Sequence, residues 1–402
     1  MTARAERPPT APDGPSPTAE SYARIRASWR HMPVLTALER QLQGTRRLDG
    51  ARIATSGRLT KERAHLLHVL KRGGARLLIA DDPEPEHERH GLRRTLGAVD
   101  YYEPDQAPLD LLVAFQPHLL LDNGRLSTAA ILHQGQLPHL RGATLHSRNA
   151  ERAVRRTIAA AGAMPAFPLV GLAASLLKER IETHHGTGQS SVAAIVAATR
   201  RQLAGAVAVV IGYGTDGRGI ASYLRAAHAR VVVVERYATA GLLAIYDGMQ
   251  LAQLEIALPL ADFVVTATGE PDVICDGHLD LLKDGCVLAN AGRREGEIRV
   301  GDLETRARAA RDHGDGVVEY ALGTRRIVLL AGGRQVNHYY GEGNASDVMD
   351  LSLALHVLCL LTLWEEPGRY GAGVVATDPD DAEQIARIKL QTLGLATSGM
   401  GP

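Results

Sequence analysis

The stretch VVIGYGTDGRG places Gly212, Gly214 and Gly217 at GxGxxG spacing. Three glycines by themselves are weak evidence. Here an apolar run precedes them, a helix-forming run follows, and Glu235 closes the next apolar run about 20 residues on. The chemistry implied is pyrophosphate binding. Glycines let the backbone approach the ligand, and the helix start at Thr215, Asp216 and Gly217 offers N–H groups to its charge. Glu235 is suited to accept hydrogen bonds from a ribose diol and to repel a 2′-phosphate. NAD is therefore expected over NADP. A second stretch, CVLANAGRREGEIRV, runs from Cys286 to Val300. Small and apolar residues end in Asn290, Ala291 and Gly292, and Arg293 and Arg294 follow at once. This reads as a buried strand entering a glycine loop that carries fixed positive charge. Cys275, Cys286 and Cys359 are scattered and form no CxxC pair, so no metal site and a reduced compartment are expected.

The elements that must position these residues alternate. MPVLTALERQLQ has helical spacing. GARIATSG reads as a strand, KERAHLLHVLKRGG as a helix and ARLLIADD as a strand, while LDLLVAFQPHLLLDNG supplies further strand-like runs. From Ala206, the strands AVAVVIGYG, ARVVVVE, ADFVVTATG and GCVLANAG alternate with helices such as DGRGIASYLRAAH. A long apolar helix follows in SDVMDLSLALHVLCLLTLWEE. The fold class is α/β: a Rossmann-type NAD-binding domain plus a second doubly wound α/β substrate domain. The expected boundaries are a disordered tail at 1–19, the substrate domain at 20–188 and 346–395, the NAD domain at 189–345, and a short tail at 396–402.

The 402 residues include 45 Lys plus Arg and 45 Asp plus Glu, so no basic surplus points to nucleic acid. The N-terminus lacks the apolar core of a signal peptide, and no 18-residue window is wholly apolar. A cytoplasmic protein without a membrane partner is expected.

Several segments together resemble the adenosylhomocysteinase family. They are GTGQSS (a hinge between domains in the family), the glycine loop, FVVTATGEPDVI, VLANAGRREGEI, LLAGGRQVNHYYGEGNASDVM and AEQIARIKLQTLGL, in the family's order. The resemblance covers the chain from about Gly50 to Leu395. It implies a substrate domain and a Rossmann domain around a hinged cleft, in a homo-oligomer. It also implies NAD used catalytically: the nucleoside 3′-hydroxyl is oxidised, the 4′ proton is abstracted, the 5′ substituent leaves, water adds, and the sugar is reduced again.

Carried residue by residue, the resemblance makes Thr60 and Glu62 adenine contacts and Met349 a purine-packing residue. Asp122 becomes a carboxylate near the ribose 5′ end. Lys178 becomes a buried amine of lowered pKa working at C3′ and C4′. Asn337, Thr266, Thr268, Ala291 and Gly292 become cofactor contacts. Departures concentrate among the substrate contacts. Arg58 and Arg293 stand where the family has histidines. HSRN replaces the family's ETTT, so His146 takes the place of the glutamate that holds the ribose diol, and Ser147 and Asn149 take threonine positions near the cofactor. Glu182 replaces an aspartate, Thr183 and Asn344 replace an asparagine and a histidine, and Ala240 replaces a cofactor-contacting asparagine. The family's C-terminal tail, whose lysine and tyrosine reach a neighbouring subunit's NAD, has no counterpart before Pro402, which makes a homodimer as plausible as a homotetramer.

An arginine cannot exchange protons near neutral pH as a histidine can. The expected function is accordingly a nucleoside dehydratase. It would oxidise C3′, remove the C4′ proton and eliminate the 5′-hydroxyl as water, giving a 4′,5′-unsaturated adenine nucleoside of the decoyinine type. The alternatives are a divergent S-adenosylhomocysteine hydrolase, a nucleoside epimerase using the same 3′-ketone, and a non-catalytic NAD-binding regulator.

Overall fold

The computed structural model describes residues 17–80, 86–97, 99–102 and 107–395. The expected tails at 1–16 and 396–402 lie outside them. Residues 17–19 do not continue a tail, because they begin the helix Pro17–Trp29. The strands, in chain order, are β1 Arg52–Ser56, β2 Arg76–Ala80, β3 Asp100–Tyr102, β4 Leu119–Asp122, β5 Gly142–Leu145, β6 Pro168–Gly171, β7 Val207–Ile211, β8 Arg230–Val234, β9 Gln250–Leu251, β10 Phe263–Thr266, β11 Cys286–Asn290, β12 Ala309–Asp312, β13 Val317–Leu322, β14 Arg325–Leu330 and β15 Gly373–Ala376.

The chain forms two compact units. The first runs to Ser175 and resumes at Met349; the second is Leu176–Val348. The expected boundary at 188/189 thus falls inside the second unit. The reason is local: the π-helix Leu177–Thr187 continues directly into the α-helix Gly188–Thr199, so no break exists at GTGQSS. Gly188 and Gly219 lie where this helical run meets the helix Thr215–Ala226. A Cβ on Gly219 would stand 2.2 Å from the His184 carbonyl oxygen, and one on Gly188 2.7 Å from the Gly219 carbonyl carbon. Within the unit, Gly188 therefore serves close packing between helices.

The first unit holds a seven-stranded sheet in the order β15-β6-β5-β4-β1-β2-β3. All its pairings are parallel. Its inner strands are buried, as sheets covered on both faces require. LDLLVAF, expected as strand, is the helix Pro108–Phe115; Pro108 sits in its first turn, where a missing N–H costs nothing. The helix Ser346–Glu365 is the one described helix long and apolar enough to cross a membrane, and 72% of its apolar stretch is buried inside the protein. It is anchored by Asp350, whose two carboxylate oxygens accept the Val34 and Leu35 amides at 2.9 Å each. Those amides open the helix Pro33–Thr45, so a carboxylate meets a helix N-terminus.

The second unit holds an eight-stranded sheet in the order β12-β13-β14-β11-β10-β7-β8-β9. β7 to β11 and β14 pair in parallel, and β12 and β13 add an antiparallel edge. Apolar side chains fill both faces. Val210, Val233 and Val265 pack on one side, and Val209, Val264 and Leu288 on the other. In each unit the chain reverses its direction of travel across the sheet. The reversal lies between β1 and β4 in the first and between β7 and β10 in the second. Ligand crevices in such sheets form at the strand carboxyl ends beside that reversal.

Candidate functional site

In the second unit, Gly212 follows β7 with φ of 95°, a left-handed conformation that favours glycine. A Cβ on it would meet the Ala267 carbonyl oxygen at 2.9 Å, because β7 and β10 flank the reversal. Gly217 packs on the same turn, where a Cβ would lie 1.9 Å from the Gly212 oxygen. Gly214 caps the helix Thr215–Ala226, with open space around it. The Arg218 amide donates to the Gly214 carbonyl at 2.8 Å. Thr215, Asp216 and Gly217 therefore present the amides of a helix start, which have no intrahelical acceptor. Glu235 lies one residue past β8. Its carboxylate accepts the Tyr213 amide at 2.6 Å and the Tyr237 amide at 2.8 Å, which fixes it beside the glycine turn.

Beyond β10 and β11 the loops are pinned together. The Ala291 and Gly292 amides donate to the Thr266 carbonyl at 2.8 and 3.1 Å, and Gly292 also donates to Asn290 Oδ1 at 2.8 Å. The Thr266 hydroxyl faces Asn290 Oδ1 at 3.2 Å. Glu297, which carried no signal in the sequence, is fully buried here. It accepts the Thr268 amide and hydroxyl, each at 2.9 Å, and the Gly269 amide at 2.8 Å. Burial pushes its carboxyl pKa up, and these donors oppose the rise. Thr266 and Thr268, expected as cofactor contacts, thus spend their hydroxyls on holding the loops. Gly292 is required because a Cβ would lie 1.6 Å from Glu297 Oε1.

Lys178 and Glu182 form a buried ion pair on the π-helix, with Thr183 half-buried next to them. Burial drives the lysine pKa down. Arg293 pushes it the same way, while Glu182 and Asp216 oppose the shift. Arg293, Lys178 and Asp216 are thereby electrostatic neighbours within this unit. Asn344 makes three contacts within the unit. Its Oδ1 lies 3.3 Å from the Thr187 hydroxyl and 3.5 Å from that of Ser190, and its amide nitrogen 3.4 Å from the Glu182 carbonyl. It thus braces the helix that carries the ion pair. Cys286 is no nucleophile, since burial pushes its thiol up to about 12.

In the first unit, the predicted residues collect at the carboxyl ends of β1, β4 and β5. Arg58 is exposed in the turn after β1. Thr60 caps the helix Lys61–Arg72, accepting the Arg63 amide at 3.2 Å, so its hydroxyl has a structural duty. Glu62, buried in the first turn, lies 3.3 Å from the Lys61 ammonium. Asp122 ends β4. It accepts the Ser56 hydroxyl and the amides of Gly124, Leu126 and Ser127 at 2.9, 3.3 and 2.7 Å. With four donors converging on it, the carboxylate ties β1 to the turn after β4. Ser147 caps the helix Arg148–Ala161, and Asn149 is exposed in that first turn. Both expected cofactor contacts therefore belong to the first unit. Met349, where the chain resumes this unit, is half-buried. His146 follows β5 and meets a residue that sequence reasoning missed: its Nδ1 is 3.1 Å from His356 Nε2. A single histidine in an apolar helix gives no periodic signal.

Residues 183–343 match the model of the S-adenosyl-L-homocysteine hydrolase NAD binding domain. Along its length the chain is 34% identical to the adenosylhomocysteinase of Sulfolobus acidocaldarius, over 91% of this chain and 90% of that protein. The chain belongs to the adenosylhomocysteinase family. It is also 30% identical to the S-inosyl-L-homocysteine hydrolase of Methanopyrus kandleri, over 92% of this chain and 90% of that protein. A crystal structure of dipicolinate synthase from Bacillus halodurans shares the fold, with a TM-score of 0.52 at 13% identity over 79% of this chain and all of that one.

NAD is the cofactor of this family, and the second unit fits it. The glycine turn, the open helix start and the fixed Glu235 match a dinucleotide's pyrophosphate and adenosine ribose. Asn337 adds an independent sign. It is buried, its amide donates to the Ser190 hydroxyl at 3.1 Å, and its Oδ1 is a buried acceptor with no donor among the described residues. Such an acceptor suits a ligand N–H.

Proposed function

We propose that this adenosylhomocysteinase-family enzyme is an NAD-dependent nucleoside dehydratase acting on an adenine nucleoside. The observation that carries the reading is the company of Lys178. The buried amine of lowered pKa is retained with its carboxylate, and the neighbour Arg293, standing where the family has a histidine, cannot exchange a proton. NAD, when bound, supplies transient oxidation of the nucleoside 3′-hydroxyl and its later reversal, with no net redox change. With C3′ at the carbonyl level, the C4′–H bond is acidic. Its proton passes to the Lys178 amine, whose depressed pKa keeps it available as a base. The C4′=C5′ double bond forms as the C5′–O bond breaks, and the hydroxyl leaves as water with the proton that the Lys178 ammonium gives up, which restores the neutral amine. The Arg293 guanidinium donates hydrogen bonds to sugar oxygen. It offers no base to activate water for return to C5′. By the family resemblance, Glu62 takes a base-contact position and His146 a ribose-contact position.

The direct test is mass spectrometry of adenosine and of psicofuranosyl adenine after incubation with protein and NAD. The expected product has lost one water. A second reading, hydrolysis of a nucleosidyl homocysteine, is favoured by the names of the relatives. Homocysteine release from S-adenosylhomocysteine, with no dehydrated product from either nucleoside, would overturn the dehydratase in its favour. Assembly as a homodimer or homotetramer belongs to the same proposal and is read by gel filtration with light scattering.

A further inference from the structure

His356 lies within the apolar helix Ser346–Glu365 and is almost fully buried. Its two ring nitrogens are both engaged. Nδ1 is 2.8 Å from the Thr144 hydroxyl on β5, and Nε2 is 3.1 Å from His146 Nδ1. The two imidazoles lie nearly parallel, with centroids 5.3 Å apart and planes inclined by 22°. Thr144, His356 and His146 are therefore a continuous chain, within one unit, from a buried strand hydroxyl to the carboxyl end of β5. A histidine in the middle of a hydrophobic helix is costly unless its nitrogens are paired, so its placement needs a reason.

Tautomer chemistry supplies one. Only one proton can lie between His356 Nε2 and His146 Nδ1. If the Thr144 hydroxyl accepts from His356 Nδ1–H, then His356 Nε2 must accept from His146 Nδ1–H, and a neutral His146 has a basic Nε2. If the hydroxyl donates instead, the relay reverses and His146 Nε2 carries the proton. In either state the protonation of the outer nitrogen is coupled to the inner contacts. Protonating His146 keeps its Nδ1–H bond to a neutral His356, so the relay also accommodates the imidazolium. We infer that His356 is a positioning residue that, with Thr144, fixes the tautomer and ring orientation of His146, making His146 a defined hydrogen-bonding and proton-exchanging group. Its use on a sugar hydroxyl rests on the function proposed above; the relay itself does not.

Histidine-labelled holoenzyme, measured by 15N NMR without nucleoside, tests the relay. The His146 signal is assigned by its loss in His146→Asn. One dominant tautomer is expected in the wild type. In His356→Leu, the His146 nitrogens should move to shifts averaged between tautomers. His356→Gln, which can still accept from His146 and donate onward, should restore part of the wild-type pattern, and Thr144→Val should weaken it as His356→Leu does. If both His356→Leu and Thr144→Val leave the His146 shifts as in wild type, the relay is refuted; Thr144→Val also covers the case in which His356→Leu does not fold. Adenosine turnover by the same variants is read separately. Loss of about tenfold or more in His356→Leu, with recovery in His356→Gln, supports the sugar-side role. Unchanged turnover with altered His146 shifts would leave the relay standing and remove His146 from the proposed reaction.

Discussion

At the scale of single residues, the proposed reaction makes turnover depend most on Lys178. Removing its amine by Lys178→Ala should lower turnover by about a thousandfold or more, given a base in the rate-limiting proton step, while NAD binding persists. The pH profile carries a sharper consequence. Burial and Arg293 lower the lysine pKa, and Glu182 raises it. A lowered pKa means the neutral base appears at lower pH than for an ordinary lysine, so rate rises with pH through that pKa. Glu182→Gln removes a raising influence and should move the acidic limb to lower pH. Arg293→Gln removes a lowering influence and should move it to higher pH. Steady-state kcat against pH for both variants checks the pair, and movement of both limbs in one direction would contradict the electrostatic account.

At the scale of elements, glycine is used for contact between helices. Gly219→Ala should force apart the helices Thr215–Ala226 and Leu177–Thr187, because the new methyl would meet the His184 backbone. Overpacking of this kind costs about 1–3 kcal/mol. Gly44, in the helix Pro33–Thr45, has nothing within 4 Å of the place a methyl would occupy. There, Gly44→Ala should stabilise by about 0.5–1 kcal/mol through reduced unfolded-state entropy and better helix propensity. Urea unfolding of the two variants should therefore give shifts of opposite sign.

At the scale of the whole molecule, two sheets carry separate cores. NAD contacts are assigned to the second unit by the glycine turn, Glu235 and Asn337. A ligand present at 100 times its Kd stabilises the state that binds it by about 2.7 kcal/mol. Calorimetry of the full chain with NAD at that excess should raise the melting transition of the second unit. The expected outcome is that a transition insensitive to NAD remains, belonging to the first unit. A single transition that shifts as a whole would show the units unfolding together.

The alternation of apolar runs, the glycine spacing and Glu235 were legible from sequence, because parallel strands and a pyrophosphate turn each impose a local pattern on contiguous residues. The family resemblance likewise singled out Lys178 and Arg293, which the fold makes electrostatic neighbours. Contacts between distant segments were not legible. Thr60, Asp122 and Ser147 looked like ligand-binding groups, yet their side chains satisfy amides at helix starts and turns. Asn344 looked like a substrate contact and braces a helix. Glu297 and His356 carried no signal, since a lone polar residue gains meaning only from what folding brings to it. LDLLVAF has no period that separates a buried strand from a short buried helix, and Pro108 together with the packing around it decided the outcome. Sequence determined the residues available for chemistry and the order of the elements. Tertiary structure decided which polar side chains are consumed in satisfying buried backbone and which remain to act, because that depends on donors and acceptors far apart in the chain.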